Sequence, residues 1–213
     1  MTKKRSMTVL VVVLALAVVL TGGLMASNMG FKLNRTLLAG TNPGSNSGSQ
    51  LLALPYNRQV GIDTAQDLFI DIGTAQNVQG YVTQTDTFQL YTFGKADFPL
   101  IAGQGVLVKM GADTGYIVVG SHDPSAVIQL EAGGAASNSG TNLYAPPYHG
   151  TAATAQALFI ELGDTNVQNI QKYVTSTDTF QLYTFGKADF AITPGEAYFV
   201  KMGTTLNYSP SHY

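Results

Sequence analysis

Apolar and polar residues alternate in short runs along most of this chain, and Gly, Pro, Asn and Asp bound the runs. Val78 to Gln84 and Thr87 to Phe93 are rich in Val, Tyr, Phe and Thr and flank the turn-prone Thr85-Asp86, which predicts a β-hairpin. Leu51 to Pro55, Gln104 to Met110 and Tyr116 to Val119 predict further strands, with Gly103, Gly111 and Gly115 at the connections. One stretch breaks the alternation. Thr64-Ala65-Gln66-Asp67 has the spacing of a helix N-cap with an acidic third position, and Leu68, Ile70 and Ile72 follow, so a short helix is predicted before Gly73.

The pattern occurs twice. TDTFQLYTFGKADF spans Thr85 to Phe98 and recurs unchanged from Thr177 to Phe190, an offset of 92 residues. The same offset relates Ser45-Asn46-Ser47-Gly48 to Ser137-Asn138-Ser139-Gly140, Pro55-Tyr56 to Pro147-Tyr148, and Val108-Lys109-Met110-Gly111 to Val200-Lys201-Met202-Gly203. Thr64-Ala65-Gln66 matches Thr154-Ala155-Gln156 at an offset of 90, so small insertions fall in the Gly, Asn and Asp-rich stretches and mark them as loops. The second helix start has Ala157 at the third position, which leaves its reciprocal cap incomplete. The expected architecture is mainly β with one short helix per module. Two tandem homologous antiparallel modules, sheet-like or barrel-like, span residues 30–121 and 122–213.

Lys3, Lys4 and Arg5 precede an apolar run from Met7 to Leu20 that Thr21-Gly22-Gly23 interrupts, a secretory signal pattern with cleavage expected near Ala26. Residues 1–26 are therefore read as a signal peptide, or, if retained, as a single-pass anchor. The expected location is extracellular or in the cell envelope, with the membrane a partner only if that segment stays attached. Charged residues make up 11% of the 213 positions, against roughly 25% in an ordinary domain, and the net charge is -2. Nucleic acid is not expected as a partner, because so little positive charge cannot hold a phosphate backbone. The absence of Cys excludes disulfides, thiolate metal sites and thiol catalysis.

The chain resembles a tandem β-rich module of bacterial secreted and cell-surface proteins. The resemblance rests on a strand ending in Leu54-Pro55-Tyr56, the Thr64 to Leu68 helix start, the aromatic hairpin Thr87 to Phe93, and Pro194-Gly195-Glu196-Ala197-Tyr198-Phe199-Val200-Lys201. It implies structural punctuation and carries no catalytic residue. The first copy departs from it at Ala102 to Val106, and the second has Pro146 in place of Leu54.

Candidate chemistry is sparse. His122, His149 and His212 do not recur between the copies, and no two stand at a metal-ligand spacing. Gly44-Ser45-Asn46-Ser47-Gly48 places Asn where a nucleophile elbow needs Ser, and Gly103-Gln104-Gly105 lacks the third glycine and following helix of a dinucleotide loop. Asp63, Asp67 and Asp71 could share a helix face, but their counterparts Ala153, Ala157 and Glu161 do not repeat the cluster, which reads as a solvated face. Asp86 and Asp178 read as turn residues, and Asp97 and Asp189 as local ion-pair or capping residues near Phe98 and Phe190. No enzyme activity, metal or cofactor is expected.

Two features remain as candidate surfaces. Alternation along the hairpin places Phe88 and Leu90 on one face and Gln89, Tyr91 and Phe93 on the other, with Gln181, Tyr183 and Phe185 repeating the second set. If exposed, that set would be a sugar-stacking platform; if covered by the helix, it would be core. The second feature lies at the chain ends. Copy one closes with Tyr116-Ile117-Val118-Val119, whereas copy two has Tyr208-Ser209-Pro210-Ser211 and is predicted to lack its closing strand. The resulting edge is either blunted by Pro210 or open to a strand from another molecule. Ser27 to Leu38 is the candidate donor, with Phe31, Leu33 and Leu37 on one face, although it can also pair at home as the counterpart of Asp123 to Leu130. The expected function is that of an exported structural or adhesive cell-surface protein, with self-association into a filament as one form of it. The alternative is a carbohydrate-binding module that takes a polysaccharide on the aromatic hairpin.

Overall fold

The computed structural model describes residues 30–40, 47–58, 61–121, 123–134 and 138–211. The signal segment, His122 and His212 lie outside the described residues. The elements of the first module are β1 (Phe31–Leu37), β2 (Ser49–Leu52), β3 (Asn57–Arg58), α1 (Ala65–Ile72), β4 (Ala75–Val82), β5 (Thr87–Tyr91), β6 (Val106–Met110) and β7 (Thr114–Ser121). The second module has β8 (Ile128–Leu130), β9 (Thr141–Tyr144), α2 (Ala155–Leu162), β10 (Val167–Val174), β11 (Thr179–Tyr183), β12 (Tyr198–Met202) and β13 (Leu206–Tyr208). Among the described residues the protein is mainly β, with antiparallel sheets and one short helix in each half.

Each half is built on a four-stranded sheet, in the order β2-β6-β4-β5 and β9-β12-β10-β11. The registers agree residue for residue: Val78 stands opposite Val108 as Ile170 does opposite Val200, and Tyr81 opposite Phe88 as Tyr173 does opposite Phe180. Even the bulge recurs, between Ala75 and Asn77 and between Val167 and Asn169. A smaller sheet β1-β7-β3 completes the first half, and the pair β8-β13 the second.

The helices form where the cap spacing places them. All four leading amides of α1 are satisfied: Ala65 N donates to Phe98 O, Gln66 N to Asp97 Oδ1, Asp67 N to Thr64 Oγ1 and Leu68 N to Thr64 O. Asp67 returns the bond to Thr64 N, which closes a capping box. In α2 the amides of Ala155, Gln156, Ala157 and Leu158 find Phe190 O, Asp189 Oδ1, Thr154 Oγ1 and Thr154 O, while Ala157 cannot close the box. Asp97 and Asp189 are thus helix-capping residues. Each helix covers one face of its sheet and buries Leu68 or Leu158 against it. Among the described residues, no helix is long and apolar enough to cross a membrane.

The two halves are not independent. Leu51, Ala53, Leu143, Ala145, Ala197 and Phe199 form a third apolar cluster between the two module cores, with Tyr81, Leu107 and Tyr173 against it. Backbone bonds cross the junction reciprocally: Ala53 N donates to Gly195 O and Ala145 N to Gly103 O, both at 2.9 Å. Gly105 N donates to Leu143 O, and a Cβ on Gly105 would lie 2.2 Å from that of Ala197, so the glycines of the rejected dinucleotide loop serve close approach of the halves. Tyr56 packs in the core of the second half and donates to Ala145 O. Each half thus keeps a core cluster of its own, and the third cluster joins the two.

The chain ends also differ from expectation. The second half has a closing strand, shortened to Leu206–Tyr208, which pairs with Ile128–Leu130. Pro210, lacking an amide donor, follows just beyond it. The candidate donor strand is occupied at home: Phe31 to Leu37 pairs with Gly120 to Thr114 along its whole length. Its inward face, as predicted, carries Phe31, Leu33 and Leu37, and it reaches the other half. Phe31 stacks on Tyr148 at 4.2 Å, Leu33 overlies Gly195, and Arg35 pairs with Glu196 at 3.2 Å. In the single chain β1 therefore takes the home-paired alternative; residues 27–29 of the candidate donor lie outside the described residues.

Candidate functional site

The repeated hairpin begins at a turn in which Asp86 and Asp178 both adopt φ 52, the left-handed region that Asp tolerates better than most residues. Turn chemistry accounts for the backbone but not for the carboxylates. Tyr81 Oη donates to Asp86 Oδ1 at 2.8 Å, and the Ser139 amide and hydroxyl of the other half donate to the same carboxylate. Tyr173 Oη donates to Asp178 Oδ1 at 2.5 Å, and Ser47 Oγ reaches it at 3.0 Å from the first half. Each hairpin thus clamps the opposite module.

The charge follows the geometry. Partial desolvation pushes the Asp86 carboxyl up, but the Tyr81 and Ser139 donors, helped by Lys201, outweigh it and hold the group below the usual carboxylate range. At Asp178 the Tyr173 hydroxyl is the largest lowering influence, ahead of Ser47 and Lys109. Desolvation and the adjacent Asp86 push the Tyr81 phenol up to about 12, and Tyr173 shifts the same way.

Beyond the turn, β5 and β11 present their two faces unequally. Tyr91 and Tyr183 are 3% and 1% exposed and lie under the helices, edge-on to Phe69 and Phe159. They are core residues, as expected if the helix covers that face, and no stacking platform is built on them. Phe93 and Phe185, expected on the same face, are 90% and 71% exposed. Alternation holds only while the chain is extended, and β5 ends at Tyr91, so Phe93 sits in the following turn. Gln89 and Gln181 are exposed.

The opposite face carries the larger surprise. Phe88 and Leu90 are 41% and 48% exposed, and Phe180 and Leu182 are 51% and 49% exposed. Phe88 and Phe180 both lean edge-on against Phe199 at the junction, and each also touches the tyrosine opposite it in its own sheet. The apolar face is thus continuous with the centre of the molecule. Both strands are sheet edges. The opposite edges, β2 and β9, run into the cross-module bonds at Ala53 and Leu143, whereas β5 and β11 pair on one side only.

Other candidates are absorbed structurally. Asp67 is a cap, Asp71 lies near the buried hydroxyl of Tyr116, and Glu161 accepts from Tyr208 Oη in the second half. His149 packs edge-on against Tyr148 and Phe31. A cavity of about 220 Å³ lies where β13 stops short, walled by Pro146, Tyr148, Tyr208 and Pro210. Its one carboxylate, Glu161, is already bonded to Tyr208 and the Ser211 amide. Sequence reasoning missed Ser47 and Ser139; the recurrence of Ser-Asn-Ser-Gly was the signal that could have found them. Compared with known proteins, the chain matches no family model, no curated protein and no solved structure.

Proposed function

We propose that this chain is an exported structural protein of the cell surface, adhesive or self-assembling, whose working surface is the repeated hairpin edge. The observation that carries the reading is the pairing of exposed apolar residues between the modules. Phe88, Leu90 and Phe93 are matched by Phe180, Leu182 and Phe185, and Ile70 on α1 by Ile160 on α2. Surface hydrophobics scattered singly need no explanation, but a set that recurs at equivalent positions of both halves marks an interaction surface. The basic start and apolar run of residues 1–26 supply the export route.

Surface labelling of producing cells with a membrane-impermeant biotin reagent, followed by mass spectrometry, tests this. Labelled protein whose first residue lies near Ser27 is expected. Protein that stays wholly in the cytosol with Met1 to Ala26 intact would refute export. The second reading, carbohydrate binding, draws on Phe93 and Phe185, whose rings project beyond the strands. It predicts sedimentation with an insoluble polysaccharide that is lost when both are changed to Ala.

A further inference from the structure

Most of the run shared by the two modules is accounted for inside the chain: Asp86 clamps, Tyr91 fills the core, and Asp97 and Phe98 hold the helix start. Gln89 and Leu90 are not, and Phe88 only in part. Their identity in the two modules is informative because buried positions have diverged. Leu52 and Val106 are replaced at the equivalent core sites by Tyr144 and Tyr198, all four buried. Packing therefore tolerated change while an exposed strand did not, the reverse of what core constraint alone produces.

Resting on the assembly reading above, we infer that β5 and β11 pair edge to edge, antiparallel, with the same strands of a second copy of this chain. The segment Thr87-Phe88-Gln89-Leu90-Tyr91 is its own complement. Centred on Gln89, antiparallel self-pairing sets Phe88 of each copy opposite Leu90 of the other on one face, and Gln89 beside Gln89 on the opposite face. Apolar cross-strand pairs of this kind stabilise a sheet. No charged residue lies within the five positions to repel a like strand, and the usual edge protections, Pro, Lys or a bulge, are missing from both β5 and β11. Main-chain hydrogen bonds supply the attraction and the half-exposed Phe88 and Leu90 fix the register. Each contact is isologous, but every chain carries two such edges on different modules. With each edge engaging a different copy, the product is a linear polymer of chains.

Sedimentation velocity and negative-stain electron microscopy of the exported chain test the inference. The wild type should give a concentration-dependent linear series. Leu90→Lys alone, or Leu182→Lys alone, leaves one edge and should stop at dimers. The double variant should be monomeric with unchanged circular dichroism and melting temperature, and the milder Leu90→Thr/Leu182→Thr pair should weaken association at least tenfold. A folded double Lys variant that still polymerises overturns this edge while leaving assembly itself standing. A wild type monomeric at every concentration overturns both, and if that monomer binds insoluble polysaccharide through Phe93 and Phe185, the carbohydrate reading replaces them.

Discussion

The seating of each half's first strand on the other half's glycine turn can be measured. Gly103 has φ +78, and a Cβ there would lie 2.3 Å from Ile128 Cδ1 and 2.8 Å from its Cγ1. Ile128 is buried and β-branched within β8, so it has little room to turn aside. Gly94 provides an internal control: its φ is +80, and a Cβ there would have nothing within 4 Å. Gly94→Ala should cost only the left-handed backbone term, about 1–2 kcal/mol. Gly103→Ala carries the same term plus overpacking against Ile128, which adds about 1–3 kcal/mol. At roughly 2–4 °C per kcal/mol for a chain of this size, Gly103→Ala should melt some 2–12 °C below Gly94→Ala. Calorimetry of the two variants reads the difference, and urea titration gives the free energies. The decisive step is a double-mutant cycle with Ile128→Ala, which should recover at least about 1 kcal/mol of the added cost. Equal melting of the two glycine variants, with no coupling to Ile128, would refute the claim that β8 rests on the opposite module's turn.

Two further outcomes follow from the junction. The clamps should make stability depend on pH at both ends. Asp86 and Asp178 have lowered folded pKa values, so their contribution is present above the unfolded carboxyl value of about 3.9 and is lost as pH falls through the folded one. Tyr81 is raised to about 12, so its contribution is present below the unfolded phenol value and fades as pH rises toward that figure. Thermal melts between pH 2 and pH 11 should therefore be steeper below pH 4 in the wild type than in Asp86→Asn/Asp178→Asn, and identical slopes would count against the clamp. Truncation after Ser121 should not leave a native first module, because it uncovers Leu51, Ala53 and Tyr56; the fragment should bind a hydrophobic dye and lose its cooperative melt, and a sharp melt without dye binding would show the halves to be separable.

The local grammar of this chain was legible before its contacts were. The hairpin, the Thr64 and Thr154 caps and the repeat follow from interactions within a few residues or from self-comparison, and the strand registers bear them out. The recurring Ser-Asn-Ser-Gly marks the donors of the clamp but not their partner, because Asp86 finds Ser139 53 residues away. Face assignment failed at one residue: Tyr91 to Phe93 reads as one strand, but the chain leaves the sheet after Tyr91, and the ring expected beside Tyr91 points to water instead. Comparison of Tyr116 to Val119 with Tyr208 to Ser211 misses copy two's closing strand, because the three pairings of Leu206 to Tyr208 lie upstream of Pro210. The exposed set Phe88 and Leu90 was identified as a face but not as the open one, since periodicity separates two faces without saying which is covered.

The reciprocal seating has a further consequence when considered as symmetry. A dimer of two identical single modules must make every contact twice, and any change in one is imposed on its twin. On a tandem chain the two contacts vary separately, and they have done so. Over Gly195 sit Leu33 and Arg35, the arginine held by Glu196; over Gly103 sits Ile128, with Gln104 where the acid would be. Both seats are capped by an aliphatic side chain, and the one over Gly195 adds an ion pair. Covalent linkage also replaces bimolecular encounter with a local concentration on the order of millimolar, so neither seat has to be strong enough to hold separate molecules together. The junction is thereby free to specialise on one side without weakening the other, while the run that forms each outer hairpin strand has kept the same residues from Thr85 to Phe98 and from Thr177 to Phe190.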